Sequence, residues 1–470
     1  MKKVLPFVCL LLLSLVPAFA DYTKSGIPDS TEIRKKLVRE WFEAPVQEVR
    51  AKTSVVFEDS VGNEFQVRCE QSEGELEVII APKSYINVSY ISGENGYTQK
   101  TAVYNKTSPG TWILYRNSKN GNPLRVRIYF NNDSDVYVEF RNSTPKLYGD
   151  MVICNSYVAR SIPVGFSLKK LYTTPFDSLV KLTERSLPWW QVNVIPGQYH
   201  SVLQMAGVIR QYLRKIYYAE DACYNDSEEL YSIENNEPFK ADAKDASLAA
   251  AIENNRLVLS GPGFLKWITD GIVKTMTRKN TKIEDLVVPT VNYNSLGKNG
   301  VISQNWSLSF TLDWCRNLAV EALNARSSKR KYKYTMGAKE VTGVDVRISP
   351  FVADIVDGNI LQSTGYSVDT GYSLDELKGL LYILSCAEPR YFYLVAIKQE
   401  SVSANNMPKN SVFNNCAAIF PYFDSNGKFG CTVFEMGKEL SLSDFIKVHE
   451  NSFVHLERVE ATDYFNPMIR

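Results

Sequence analysis

Between Ser54 and Phe140 apolar residues recur at every second position, and few folds accept that pattern. The runs are Ser54-Val-Val-Phe57, Phe65-Gln-Val-Arg-Cys69, Leu76-Glu-Val-Ile-Ile80, Trp112-Ile-Leu-Tyr115, Leu124-Arg-Val-Arg-Ile-Tyr-Phe130 and Val136-Tyr-Val-Glu-Phe140. Successive side chains of a strand point to opposite faces, so each run reads as a strand with one face buried. Turn-forming clusters separate them at Asp59-Ser-Val-Gly-Asn63, Asn117-Ser-Lys-Asn-Gly121 and Asn131-Asn-Asp-Ser-Asp135. Short strands at this spacing predict an antiparallel sandwich, and residues 49–165 are assigned to an immunoglobulin-like β-sandwich domain. Phe65, Val67 and Cys69 share its inward face. Cys154, in the last strand, can meet that face, which leaves open a sheet-to-sheet disulfide or two separate buried thiols.

A different grammar flanks this region. From Asp29 to Trp41, Ile33, Leu37 and Trp41 fall on one helical stripe, so residues 21–48 read as a leading helical segment. After Ile162-Pro-Val-Gly165 the period turns helical again, which sets a domain boundary and assigns 166–470 to an α+β domain. Val202, Met205, Ala206, Ile209, Leu213 and Ile216 form one apolar helix face. Helices are expected from Phe264, from Leu312, and from Ser373-Leu-Asp-Glu376, which has the form of a capping box. Between them, residues 220–245 carry nine carboxylates without the order of a calcium loop, and read as a solvated acidic insertion. The chain ends in strands: Tyr391–Ile397, then Cys416–Phe423 and Phe429–Phe434 joined across Ser425-Asn-Gly427, and finally Phe453–Val459. Ser441-Leu-Ser-Asp444 caps a short helix between the last two.

The first residues add an address. Lys2-Lys3 precede an apolar run from Val4 to Val16 that closes on Ala18-Phe-Ala20, the form of a cleavable signal peptide over residues 1–20. No later apolar run approaches the ~20 residues of a membrane helix, so the expectation is a secreted or periplasmic protein with no transmembrane segment after signal cleavage. Fifty-three basic and fifty-two acidic residues nearly cancel, which argues against a nucleic-acid partner. Of eight cysteines, Cys9 lies in the leader; no Cys-x-x-Cys occurs, and His200, His449 and His455 are the only histidines. Neither a metal site nor a cofactor is expected from that inventory.

One constellation carries chemistry. Ser260-Gly-Pro-Gly-Phe264 opens a helix on which Phe264, Trp267, Ile268, Gly271 and Ile272 share a face, with Pro262 suited to a first turn. This stretch resembles the active-site helix of the NlpC-type papain-like cell-wall peptidases, where Asp-Cys-Ser-Gly-Phe starts the helix; Gly263 and Phe264 match its last two residues. The resemblance implies a papain-like fold, with a helix N-terminus that would stabilise a thiolate. It also implies a histidine at the head of a core strand, and Cys416-Ala-Ala-Ile-Phe420 resembles that strand. The reactive pair is missing, however. Gly261 stands at the cysteine position and Cys416, or Asn415 if the register slips, at the histidine position. Without an activated nucleophile, covalent acyl transfer has no route.

The degenerate-site residues are therefore Ser260, Gly261, Gly263, Asn415 and Cys416. Ser260 is read as a capping hydroxyl, since Ser-Gly-Pro-Gly is not a nucleophile elbow. The resulting expectation is an exported, non-catalytic binding or scaffolding protein of the cell envelope, with cell-wall peptide or an envelope protein as partner. A rival reading from another class is an active cysteine hydrolase, with Cys315 or Cys416 as nucleophile and His449 or His455 as base.

Overall fold

The computed structural model describes residues 26–92, 95–143, 146–240, 245–291, 309–334, 341–352, 355–356, 359–360, 365–400 and 411–470. The leader assigned from sequence lies outside the described residues. Two short helices come first, α1 (Thr31–Leu37), which runs on into a π-helical turn over Val38–Phe42, and α2 (Val46–Arg50). Ile33, Leu37 and Trp41 are all buried, as their stripe predicts. Strands follow: β1 (Val55–Glu58), β2 (Glu64–Ser72), β3 (Glu75–Pro82), β4 (Ser84–Ser92), β5 (Asn95–Val103), β6 (Trp112–Asn117), β7 (Pro123–Ile128), β8 (Val136–Ser143), β9 (Lys146–Ile153) and β10 (Ser156–Val164). β4 and β5 pair as a separate hairpin; the other eight form one sheet in the order β1-β2-β3-β6-β7-β8-β9-β10, antiparallel throughout.

That order corrects the immunoglobulin-like sandwich to a single meander. Period-two alternation sets which face of a strand is apolar, but not what covers it. Here the cover is helical. Phe65, Val67, Val78, Ile80, Trp112, Leu114, Val138 and Phe140 pack against Ile33, Leu37 and Trp41, and against α3 (Leu168–Leu171) and α4 (Phe176–Thr183). No second sheet is needed. Cys69 and Cys154 remain free thiols, so the possible bridge between them is absent.

Beyond a 3₁₀ turn at Trp189–Val192 come α5 (His200–Tyr212), β11 (Ile216–Tyr218), β12 (Ala222–Tyr224), β13 (Leu230–Ser232), α6 (Ala246–Glu253) and β14 (Leu257–Leu259). The acidic stretch is thus only partly a solvated insertion: β12 and β13 form a hairpin in it, and Ala222 and Cys223 are fully buried. Helices α7 (Gly261–Thr277), α8 (Ile283–Leu286) and α9 (Phe310–Arg326) lead to the strand pair β15 (Ile355–Val356) and β16 (Asn359–Ile360). The chain ends with β17 (Tyr372–Ser373), α10 (Leu374–Ala387), β18 (Tyr391–Glu400), β19 (Ser411–Phe423), β20 (Phe429–Glu435), β21 (Lys438–Ser441), α11 (Leu442–Val448) and β22 (Phe453–Glu460).

These last strands build a six-stranded antiparallel sheet in the order β17-β22-β18-β19-β20-β21. Both faces are covered, which is why β18 and β19 are apolar almost without alternation. Phe392, Leu394, Ala396, Cys416, Ala418 and Phe420 meet α5, α7 and α9 on one side. Tyr393, Val395, Ile397, Ala417 and Ile419 meet α10 on the other, in a core that continues into the meander. Polar contacts cross the same junction: Lys378 pairs with Asp135 at 2.5 Å, Phe429 N donates to Asp133 Oδ2 at 3.1 Å, and Asn131 donates to the Tyr382 hydroxyl. Among the described residues, no helix is long and apolar enough to cross a membrane.

Candidate functional site

The start of α7 is held from both sides. Ser260 takes an extended conformation, and its hydroxyl accepts from Gly263 N (3.1 Å) while donating to the Ala222 carbonyl (2.9 Å). It is a cap, as read from sequence, with its proton already committed. Trp314 Nε1 of α9 donates to the Pro262 carbonyl at 2.9 Å. Gly263 sits so close to β12 that a Cβ there would collide with the Ala222 carbonyl oxygen and lie 3.1 Å from Cys223 Cβ. Gly261 is different. A Cβ at that position would meet Cys416 Sγ at 3.5 Å and Met436 Cγ at 4.0 Å, both ordinary contacts.

The two substituted positions therefore lie against each other, with the helix N-terminus over the middle of β19, which starts at Ser411 and not at Cys416. Cys416 and Gly261 are both buried, and the flexible Met436 lies over the same point. Burial pushes the Cys416 thiol far above its ordinary range, and the nearby Glu435 and Glu457 add to that. Asn415 is half-buried, and strand alternation points it to the other face of β19. Cys315, on the inner side of α9, is also buried, with its thiol raised by burial, Glu457 and Cys416. Neither thiol hydrogen-bonds an imidazole among the described residues.

Both histidines of the rival reading are occupied elsewhere. His449, ending α11, is buried with Nε2 2.9 Å from Glu435 Oε1 and Nδ1 3.0 Å from Gln399 Nε2. His455 stands in the same row of the sheet as Cys416, with Ala396 of β18 between them. Two strand spacings separate the pair, roughly 10 Å. Cys416 and His455 therefore do not meet, and no hydrogen bond joins a thiol and an imidazole of that reading among the described residues.

His455 instead belongs to a buried charge cluster that the motif search missed. Residues 344–346 run beside β22: Arg458 N donates to the Val344 carbonyl (2.8 Å) and Val346 N to the Leu456 carbonyl (2.9 Å), which sets Asp345 next to Glu457. Arg316 of α9 donates from Nε to Asp345 Oδ1 (3.3 Å), and from Nη2 to Asp345 Oδ2 (3.0 Å) and Asp369 Oδ1 (3.0 Å). Arg347 Nη2 (2.6 Å) and the Tyr334 hydroxyl (2.8 Å) also donate to Asp345. Burial works against the Asp345 charge, but Arg316 and then its other partners hold its pKa at about 2.

The imidazole responds in the opposite direction. Burial, reinforced by Arg316, lowers the His455 pKa to about 3, so the ring is neutral. Its Nε2 lies 2.9 Å from the Tyr366 hydroxyl and 3.4 Å from Arg316 Nη2, and its Nδ1 lies 2.6 Å from Glu457 Oε1. A guanidinium can only donate, so Nε2 accepts and Nδ1 carries the proton toward Glu457. Burial, then Asp345, raises the Glu457 carboxyl well above its usual range, and its Oε2 is buried without a partner among the described residues. That orphan oxygen is where the proton of a neutral carboxyl would reside.

Asp345, His455 and Glu457 offer ligand atoms within 4.8 Å of one another. A divalent ion does not suit the surroundings, because two guanidiniums already grip Asp345 and one of them lies against the imidazole. The signal available in sequence was His455-Leu-Glu457, two polar residues on one face of an otherwise buried strand. Its partners are distant in sequence and carry no spacing rule.

The described residues also form an open cleft of about 720 Å³ where the meander meets the C-terminal hairpin. Pro28, Lys83, Phe130, Asn131, Asn193 and Asn426 are among its walls, which contain no carboxylate side chain. Residues 23–191 match a family described as a domain of unknown function, DUF8515. The matched stretch takes in the leading helices, the meander, α3 and α4, running past the sequence boundary at Gly165. Neither a curated protein nor a solved structure matches the chain.

Proposed function

We propose that this chain is an exported, non-catalytic binding or scaffolding protein of the cell envelope, and that its C-terminal part is a papain-like fold of NlpC type stripped of its catalytic pair. One observation carries the reading: the helix N-terminus at Gly261 rests on Cys416, the contact in which such an enzyme would join thiol and imidazole. Backbone polarity is retained there and reactive side chains are not. What survives of the family motif, Gly263 and Phe264, is also the part that packing demands: Gly263 has no room for a side chain, and Phe264 is buried against Trp267.

Support for export comes from Lys2-Lys3, the apolar run to Val16 and Ala18-Phe-Ala20. The buried contact at Gly261 leaves no obvious seat for a ligand, so the partner is better sought in the 720 Å³ cleft, whose size suits a small ligand. Amides, hydroxyls and Lys83 without any carboxylate fit a cell-wall peptide that carries amides and free carboxylates.

The test is co-sedimentation of the purified protein with peptidoglycan sacculi, with chromatography of the supernatant. Protein in the pellet and no released muropeptide is the expected result. Released peptide would transfer the case to the hydrolase reading, and protein that stays in solution would remove the support for a wall ligand. Asn193→Trp, which fills the cleft, should abolish sedimentation.

A further inference from the structure

One basic stretch belongs to neither the cleft nor the start of α7. Arg326 ends α9, and Ser327-Ser-Lys-Arg-Lys-Tyr-Lys333 follows it. The stretch is fixed at both ends. The buried Asn324 side chain accepts from Tyr332 N at 2.7 Å and donates from Nδ2 to the Tyr332 carbonyl at 3.0 Å. Arg330 N donates to Ser327 Oγ at 3.2 Å, and the buried Tyr334 donates its hydroxyl proton to Asp345 Oδ1 at 2.8 Å. The backbone is thus held to the body of the protein, and the charged side chains are what the loop offers to its surroundings.

Lys329, Arg330, Lys331 and Lys333 are all exposed, and none takes part in an ion pair among the described residues. Lys331 alone reaches back, to the Asn324 carbonyl at 3.4 Å, as a cation does at a helix C-terminus. Glu321 is near Lys331, Lys333 and Asp285, but its hydrogen bond is to Asn324 Nδ2 at 3.3 Å. At the root of the loop one carboxylate, Glu460, is shared by two guanidiniums, Arg326 at 3.4 Å and Arg390 at 2.9 Å. The balance of fifty-three basic and fifty-two acidic residues therefore conceals a local surplus of positive charge.

We propose that this loop seats the protein on a bilayer surface of anionic phospholipid. A single phosphate group is held by donors that converge in a recess, and no residue of the loop lines the cavities at Phe130, Lys266 or Trp112. An array of headgroups suits cations that follow one another along an exposed loop. A long polyanion would run on past the loop. The whole chain reaches a net charge of +1 only with these four cations counted, so the rest of it is negative and would repel such a polymer. A bilayer is touched at one place. The half-buried Tyr332 ring, 5.1 Å from the Arg330 guanidinium, adds an amphipathic side chain of the kind that favours the boundary of water and lipid. Each Lys or Arg held near an anionic surface strengthens binding by about fivefold. The contact lies apart from the cleft and does not depend on a wall ligand.

The experiment is co-pelleting with sucrose-loaded vesicles, using the chain without residues 1–20 so that the apolar leader contributes nothing. Vesicles of phosphatidylglycerol in phosphatidylethanolamine should carry the protein down, and vesicles of phosphatidylcholine should not. Binding should vanish in 1 M salt, where the screening length falls to about 3 Å. Lys329→Ala combined with Arg330→Ala and Lys333→Ala should weaken it by roughly a hundredfold. Lys119→Ala with Lys146→Ala, which removes two exposed cations of the meander, should leave it unchanged. Equal melting temperatures check that the triple variant is folded; if it melts earlier, the three single substitutions decide, each with an expected loss of about fivefold. Protein that stays in the supernatant with phosphatidylglycerol overturns the inference. So does binding that the substitutions leave intact, or that phosphatidylcholine shares. Tighter binding to soluble polyphosphate than to vesicles would assign the loop to a polymer and overturn it as well.

Discussion

Two sites on the same face of the six-stranded sheet each supply one half of what a reactive centre combines. At the start of α7 a helix N-terminus lies over the middle of β19, an arrangement suited to activating a thiol, but glycine and a buried cysteine occupy it. Two strands away in the same row, His455 joins Glu457, Asp345 and Arg316 to supply acid, base and cation, but each is buried and bonded to another of the four. The first site has geometry without chemistry, and the second has chemistry without an opening. The difference shows why residue type alone is weak evidence for a reactive centre. What separates a catalyst from a clamp is whether the polar groups retain an unfilled valence toward a space where substrate can sit.

The comparison is most exposed at Arg316. If the cluster is a clamp that fastens α9 to β22, Arg316→Met should destabilise the fold by about 4 kcal/mol, because Asp345 is left buried with part of its charge uncompensated. Thermal and denaturant unfolding measure this, and adding Asp345→Asn should recover part of the loss. Unchanged stability would mean that the cluster is more open and better solvated than its contacts imply. Next comes Gly263→Ala, expected to cost about 3 kcal/mol since the new methyl would press on the Ala222 carbonyl and force α7 away from β12.

Much of this architecture was legible in the sequence, and the failures have physical causes. The positions of β1, β2, β3, β6, β7 and β8 followed from alternation, whereas the β4–β5 hairpin between them did not, and the starts of α7 and α11 followed from Ser260 with Pro262 and from Ser441. The contact between Gly261 and Cys416 was expected only from the resemblance, because periodicity says nothing of which helix start meets which strand. Alternation misled on the sandwich because an apolar sheet face looks the same under helices as under another sheet. The expected capping box at Ser373 was half right: Ser373 accepts from Asp375 N at 3.4 Å, but Glu376 turns inward and accepts from Gly365 N at 3.2 Å. The charge cluster was invisible because Arg316, Asp345 and His455 are far apart in sequence, and nothing local marks them as partners.

Glu376 sharpens the contrast, being a buried carboxyl outside the cluster. Burial raises its pKa from 4.5 to about 7, opposed by the Gly365 amide and assisted by Asp375. A folded-state pKa above the unfolded one means that the native protein holds this proton more tightly. The stability it contributes is full below pH 4.5 and is lost as pH rises to about 7. Glu376→Gln should remove about 2 kcal/mol of that decline in a pH series of unfolding curves. A fall that persists in this variant comes from other groups that burial raises, the Glu457 carboxyl and the buried thiols among them. A decline unaltered by Glu376→Gln would mean that Glu376 titrates alike in the folded and unfolded chain, against the burial seen here.

The smallest effect is expected where the functional argument is strongest. Gly261→Ala should change stability by no more than about 0.5 kcal/mol, since alanine suits a helix and its methyl would meet Cys416 Sγ and Met436 Cγ at ordinary distances. Gly261 and Gly263 are two residues apart in one turn, yet only the second is demanded by packing. If Gly261→Ala proved as costly as Gly263→Ala, the glycine would be explained by space alone, and its position opposite Cys416 would say nothing about a lost side chain. A near-neutral result leaves Gly261 as a position that accepts a side chain, lies at a helix N-terminus and faces residue 416.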